Sequence, residues 1–117
     1  MALIVFDTNI FIDMLHGVHE ATVELGNYDS PAISVITYME LRSGEVARPQ
    51  DKSILDAVMA EFTVIELTPQ IIEAAIAIRG KGFVSPPKIK LPDAIIAATA
   101  QVHGAALVTR NAKDFSG

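Results

Sequence analysis

The sequence predicts an α/β fold, an α/β/α sandwich of helices around a mostly parallel central sheet. Three observations predict it. Short apolar runs alternate with segments of helical period along the whole chain. The runs are continuous rather than alternating with polar residues, the pattern of strands covered on both faces. At 117 residues, half of them hydrophobic, the chain suffices for one domain with a real core and is too short for two.

The elements follow in order. Leu3 to Phe6 is the first strand, ending at Asp7-Thr8-Asn9. Ile10, Phe11, Met14 and Leu15 recur at helical spacing, and a second short helix spans 20–26, closed by Gly26 and Asn27. Ala32 to Val35, after Pro31, is the second strand. Thr37 is placed to cap the next helix, with Glu40 at capping-box spacing. Residues 50–61 form an amphipathic helix with Ile54, Leu55, Val58 and Met59 on one side. Thr63 to Glu66 is a third strand. Thr68-Pro69 opens a helix carrying Ile71, Ile72, Ala75, Ile76 and Ile78, which Gly80 and Gly82 should end. Residues 80–91 read as the one long loop. Pro92 begins another helix, followed by Gly104 and a last strand, Ala106 to Val108.

Composition narrows the chemistry. The absence of cysteine excludes disulfides, a thiolate nucleophile and sulfur-ligated zinc. The first apolar run is too short to span a membrane, and no basic segment precedes it as in a signal peptide. A soluble cytoplasmic protein is expected. The net charge of −5 argues against non-specific nucleic-acid binding, but the charge is uneven. Residues 1–41 hold six acids and no Lys or Arg. Residues 79–113 hold Arg79, Lys81, Lys88, Lys90, Arg110 and Lys113, with Asp93 the only acid among them.

The placement of four acids is the informative part. Asp7 follows the first strand and Asp114 lies just beyond the last. Glu40 and Asp93 lie in the first turns of helices. Ligands of open α/β sheets bind outside the carboxyl ends of the strands, where all four can converge. Singly, each has an ordinary explanation: a turn or cap for Asp7, a capping box for Glu40, the positive helix end for Asp93, a surface charge for Asp114. Together they would repel one another unless a cation intervened. A hard divalent ion with oxygen ligands resolves that, and it supports chemistry at phosphoryl groups without histidine. His16, His19 and His103 show no zinc-motif pattern. There is no G-x-S-x-G elbow, P-loop or G-x-G-x-x-G either.

Four segments carry a family resemblance: Val5-Phe6-Asp7-Thr8-Asn9, Ile36-Thr37-Tyr38-Met39-Glu40-Leu41, Leu91 to Ala100 (LPDAIIAATA), and Leu107 to Phe115 (LVTRNAKDF). In this order they resemble the PIN domain and, more narrowly, the VapC-type toxins of prokaryotic toxin–antitoxin pairs. The resemblance covers nearly the whole chain, and its last two segments are the most specific. It implies a PIN-like three-layer α/β/α sandwich and a single-stranded RNA endonuclease using Mg2+ or Mn2+. Asp7, Glu40, Asp93 and Asp114 would be the catalytic and metal-binding acids, with Asp7 and Asp93 the direct ligands. Relatives differ over the fourth acid, some placing it where this chain has Asn111. Thr109 and Asn111 would support water or metal at the site, and Thr8 and Asn9 the first turn, although Asn9 also reads as a helix cap. The resemblance further implies a homodimer and a cognate VapB-type antitoxin in the cleft. Relatives usually continue past the position of Gly117, so residues 1–117 read as a single PIN-like domain with a short or absent final segment.

RNA would reach an acidic cleft only past positive charge. Lys81, Lys88, Lys90, Arg110 and Arg42 are the expected rim, with an ordinary solvated loop as the alternative for the lysines. Two rival functions remain. The domain would be a catalytically idle protein-binding module if its acids held no metal. A haloacid-dehalogenase-like phosphatase would need a second Asp two residues after Asp7, where Asn9 stands. A receiver domain fits still less, since its phosphoacceptor Asp would lie in mid-chain.

Overall fold

The computed structural model describes residues 3–109. The strands are β1 (Ile4–Phe6), β2 (Pro31–Ser34), β3 (Thr63–Ile65) and β4 (Ala106–Val108). The helices are α1 (Thr8–Leu15), α2 (His19–Leu25), α3 (Val35–Ala47), α4 (Lys52–Met59), α5 (Pro69–Val84) and α6 (Leu91–Val102). A short 3-10 turn, Pro49–Asp51, joins α3 to α4.

The four strands pair in the order β3-β2-β1-β4, and every pairing is parallel. The register sets Ile4 beside Pro31 on one side and Ala106 on the other. Successive strand residues point to opposite faces, so each strand serves two cores. Phe6 and Ile33 pack with Phe11, Leu41, Leu55 and Phe62 under α1–α4. Val5, Ala32 and Ile65 pack with Ile71, Ala75 and Ile96 under α5 and α6. This double burial is why the strand sequences are unbroken apolar runs, and it makes the expected three-layer α/β/α sandwich. The first core centres on aromatic edges: Phe6 lies 5.4 Å from Phe62 and 5.7 Å from Tyr28, centroid to centroid.

Two local expectations are corrected. The helix after β2 is capped by Ser34, not Thr37. Ser34 is extended, and its Oγ accepts the Ile36 N–H at 3.1 Å. Val35 therefore belongs to α3, Thr37 is fully buried inside it, and Glu40 is no partner in a capping box. The β-branched residues after Pro31 had made Val35 look like strand. The second correction concerns α5, which does not stop at Gly80 or Gly82 but runs to Val84. Gly82 is there for a close approach: a Cβ would meet Lys88 Cα at 3.1 Å and the Pro87 carbonyl at 3.2 Å. The cap at Thr68, by contrast, is as expected, its Oγ1 accepting the Ile71 N–H with Pro69 in the first turn.

Candidate active site

The sheet order places a switch point beside β1. The chain leaves β1 to build β2 and β3 on one side, then returns to lay β4 on the other. The crevice outside the strand ends opens where the direction of winding reverses. Asp7 follows β1 there and Thr109 follows β4. The two are tied: the Asp7 N–H donates to the Val108 carbonyl at 3.0 Å, and the Thr109 hydroxyl donates to Asp7 Oδ2.

Asp7 is only 4% exposed. It is the N-cap of α1, its Oδ1 accepting the Asn9 N–H at 3.0 Å. The cap is thus Asp7, and Asn9 serves it through its backbone. Both carboxylate oxygens are oriented by donors. Thr8 turns the other way. Its Oγ1 lies 2.7 Å from Glu40 Oε1 and 3.1 Å from the buried Thr37 hydroxyl. A hydroxyl has one proton, so Thr8 donates to the carboxylate and Thr37 supplies the proton between the two hydroxyls. A polar chain from α1 into α3 thereby aims Glu40.

A cavity of about 270 Å³ opens over these residues, and Asp7, Thr8, Asn9, Glu40 and Asp93 all line it. Asp93 is the third residue of α6, after Leu91 and Pro92. Three of the four expected acids therefore face one space. Asp114, Asn111 and Arg110 lie outside the described residues. Arg48 and Asp51 also line the cavity and were not singled out by the sequence; His16, which shows no zinc-motif pattern, lines it as well. His16 caps the C-terminal end of α1.

The all-oxygen donors suit a hard divalent ion. Among the described residues they form no compact group of three or more ligands.

The expected rim is dispersed. Arg42 does not line the cavity: its guanidinium pairs with Glu45 at 2.6 Å and Asp56 at 2.8 Å, and sits 5.3 Å from the Tyr38 ring centroid. Burial works against its charge, but the hydrogen bonds it donates to Glu45, Asp56 and Tyr38 outweigh this and hold its pKa above the ordinary arginine value. Lys81, Lys88 and Lys90 are exposed around the end of α5 and the start of α6. Lys90 is the N-cap residue of α6, three positions before Asp93.

A three-layer sandwich with acids at the switch point of its parallel sheet defines the class of open α/β domains whose ligand crevice lies beyond the strand ends. The PIN domain family model matches residues 4–116, and the chain belongs to that family. In a toxin–antitoxin complex from Klebsiella pneumoniae, a chain 42% identical aligns over 100% of this chain and 92% of its own, with a TM-score of 0.81. VapBC2 from Rickettsia felis, bound to a DNA fragment from their promoter, aligns at 24% identity over 95% and 89%, TM-score 0.82. VapBC-1 from nontypeable Haemophilus influenzae aligns at 24% identity over 97% and 90%, also at 0.82. The last two establish likeness of fold. The resemblance to VapC-type toxins read from the sequence agrees with the family match and with the first of these structures. No curated protein sequence matches the chain significantly. No helix among the described residues is long and apolar enough to cross a membrane.

Proposed function

We propose that the chain is a VapC-type toxin, a metal-dependent endoribonuclease that hydrolyses RNA phosphodiester bonds with Mg2+ or Mn2+. Residues 1–117 act as one PIN-like domain, cytoplasmic and homodimeric, neutralised by a cognate VapB-type antitoxin seated in the cleft. The observation that carries this reading is the meeting of Asp7, Glu40 and Asp93 at one cavity, with Asp7 buried and oriented on both oxygens. The Klebsiella pneumoniae complex supports the antitoxin partner.

Asp7 and Asp93 would hold the ion directly. Glu40, steered by Thr8, would orient the attacking water and take its proton, with Asp114 or Asn111 completing the set. When bound, the ion supplies acidification of water and offsets charge on the phosphoryl oxygens. In hydrolysis a water oxygen bonds to phosphorus, the bond to the leaving ribose oxygen breaks, and that oxygen takes a proton. Thr109, bonded to Asp7 Oδ2, would hold that carboxylate in place for the ion. Lys81, Lys88, Lys90 and Arg110 would draw RNA past the acidic mouth. Replacing Lys88 and Lys90 with Ala should flatten the salt dependence of cleavage.

The test is an RNA cleavage assay with and without EDTA on the parent, Asp7→Ala and Asp93→Ala. Cleavage should need metal and be lost in both variants. Variants that cut as fast as the parent would sink the assignment. Calorimetry with Mg2+ and Mn2+ separates an idle binding module, which would bind neither ion below millimolar concentration.

A further inference from the structure

The cavity has a second end. On α3 its lining residues Glu40, Leu41 and Gly44 recur at three- and four-residue spacing along one face, and Arg48, the C-cap of that helix, follows four residues after Gly44. Thr8, Ile12 and Leu15 do the same on α1, with His16 beside them at its end. The cavity is therefore a groove between two helices. From Glu40 to Arg48 it runs about 12 Å, eight residues of helical rise. The acids Asp7, Glu40 and Asp93 stand at one end, and Arg48 is the only Lys or Arg among the described residues that line it.

Arg48 is held in place. Its Nε lies 3.2 Å from Asp51 Oδ2, and Asp51 is itself buried at 7% exposure. The Arg48 side chain keeps half of its surface exposed. The guanidinium thus has Nε beside a buried carboxylate and exposed surface that a ligand can reach. A planar fork of this kind matches a phosphate.

Gly44 lies between the two ends. A Cβ built there meets nothing within 4 Å, so no packing contact demands glycine at this helical position. The missing side chain leaves the groove floor open. Ile12, Leu15 and Leu41 give the walls an apolar stretch suited to a ribose and base.

We propose that this groove is the track of one RNA strand, with Arg48, paired with Asp51, gripping a phosphate about three to four nucleotides along the strand from the bond cut. The proposal rests on the ribonuclease reading of the acids. Twelve ångströms is about three to four rises of a stacked strand, so Arg48 stands away from the reacting atoms and acts in binding. The carboxylate end accepts phosphate only with its cation, and the arginine end accepts it directly.

The experiment follows a labelled single-stranded RNA by fluorescence anisotropy in EDTA and in Ca2+. Cleavage kinetics in Mg2+ and Mn2+ run in parallel on the parent, Arg48→Ala, Arg48→Gln, Arg48→Lys and Gly44→Leu. Arg48→Gln keeps a donor for Asp51 and guards against misfolding in Arg48→Ala. Loss of the charge should weaken RNA binding about tenfold or more. It should lower the slope of log affinity against log salt by about 0.7. It should raise KM and leave kcat near the parent value. Arg48→Lys should restore the slope but only part of the affinity, and Gly44→Leu should weaken binding with its fold intact by circular dichroism.

Unchanged affinity and salt slope in both Arg48→Ala and Arg48→Gln overturn the track. So does a loss confined to an acidic probe, poly-glutamate, which would give the groove to a protein partner. A parent that binds RNA through Arg48 but cuts none with either metal defeats the ribonuclease reading and leaves the track standing. A parent that cuts RNA with a KM indifferent to Arg48 does the reverse. A parent that neither binds nor cuts defeats both.

Discussion

Asp7 does two jobs with one carboxylate. It caps α1, and it is the buried acid of the candidate site. Substitutions at this residue separate the two. Asp7→Asn retains a good cap, whereas Asp7→Ala loses it, at a cost of about 1 kcal/mol. Both should abolish cleavage, but urea unfolding should find only Asp7→Ala less stable by that amount. Equal stabilities would refute the capping role. Thr109→Val removes the donor on Asp7 Oδ2 while keeping shape. Loss of such an outer partner should lower metal affinity or activity about 10–100-fold, read by calorimetry and by cleavage rate. At this scale the sequence showed the acids, because a strand followed by Asp and a Pro-started helix with Asp are local patterns. It did not show that Thr8 serves Glu40, or that Arg48 faces the acids along one groove. Those are relations between side chains brought together by folding, and no spacing rule encodes them.

Two glycines on different helices should behave oppositely. Gly44 is inside α3 with open space around it, and Gly82 is inside α5 with backbone pressed against it. Gly44→Ala should stabilise the fold by about 0.5–1 kcal/mol, the ordinary helical preference for alanine. Gly82→Ala should destabilise it, because the contacts at 3.1 and 3.2 Å are with backbone atoms that have little room to move. Thermal melts of the two variants provide the comparison, and shifts of the same sign would refute the contrast. Reading Gly82 as a helix stop failed for the same reason: glycine signals both an ended helix and a close neighbour, and only tertiary packing tells them apart.

The α3–α4 contact is electrostatic at its outer edge. Asp56 on α4 binds Lys52 at 2.9 Å and Arg42 of α3 at 2.8 Å. The Lys52 hydrogen bond, then that of Arg42, holds the Asp56 carboxyl below its ordinary range. A lowered folded pKa stabilises above the unfolded value, and the gain disappears as pH falls through the folded one. Asp56→Asn should therefore be less stable than the parent at pH 7, and the difference should shrink below about pH 4. A gap that persists at pH 2 would mean that the ion pairs are not its source.

Across the whole molecule, one sheet separates two cores, and the cores are not alike. The α1–α4 side is aromatic, whereas the α5–α6 side is built from Val, Ile and Ala. Phe11 is fully buried and lies 5.2 Å from Phe62 and 6.5 Å from Phe6. Phe11→Ala should cost about 3–5 kcal/mol, measured by denaturant unfolding. The layered, parallel architecture was legible because double burial leaves unbroken apolar strands. The strand order was not, since Val5 and Phe6 look the same in sequence whichever strands flank them. Where Asp7 meets Thr109 depends on that order alone.

The pairing of β1 with β4 joins residues 4–6 to residues 106–108. The first strand made waits for the last one described, and Asp7 gains its Thr109 donor only when that partner arrives. During vectorial synthesis on the ribosome, β1, β2 and β3 can assemble while β4 is still inside the exit tunnel. The oriented acidic site cannot. Loop closure over so long a separation is also among the slower steps of folding. A nascent chain therefore has β1, β2 and β3 available before β4, and Asp7 takes up its partner Thr109 only once β4 has joined β1.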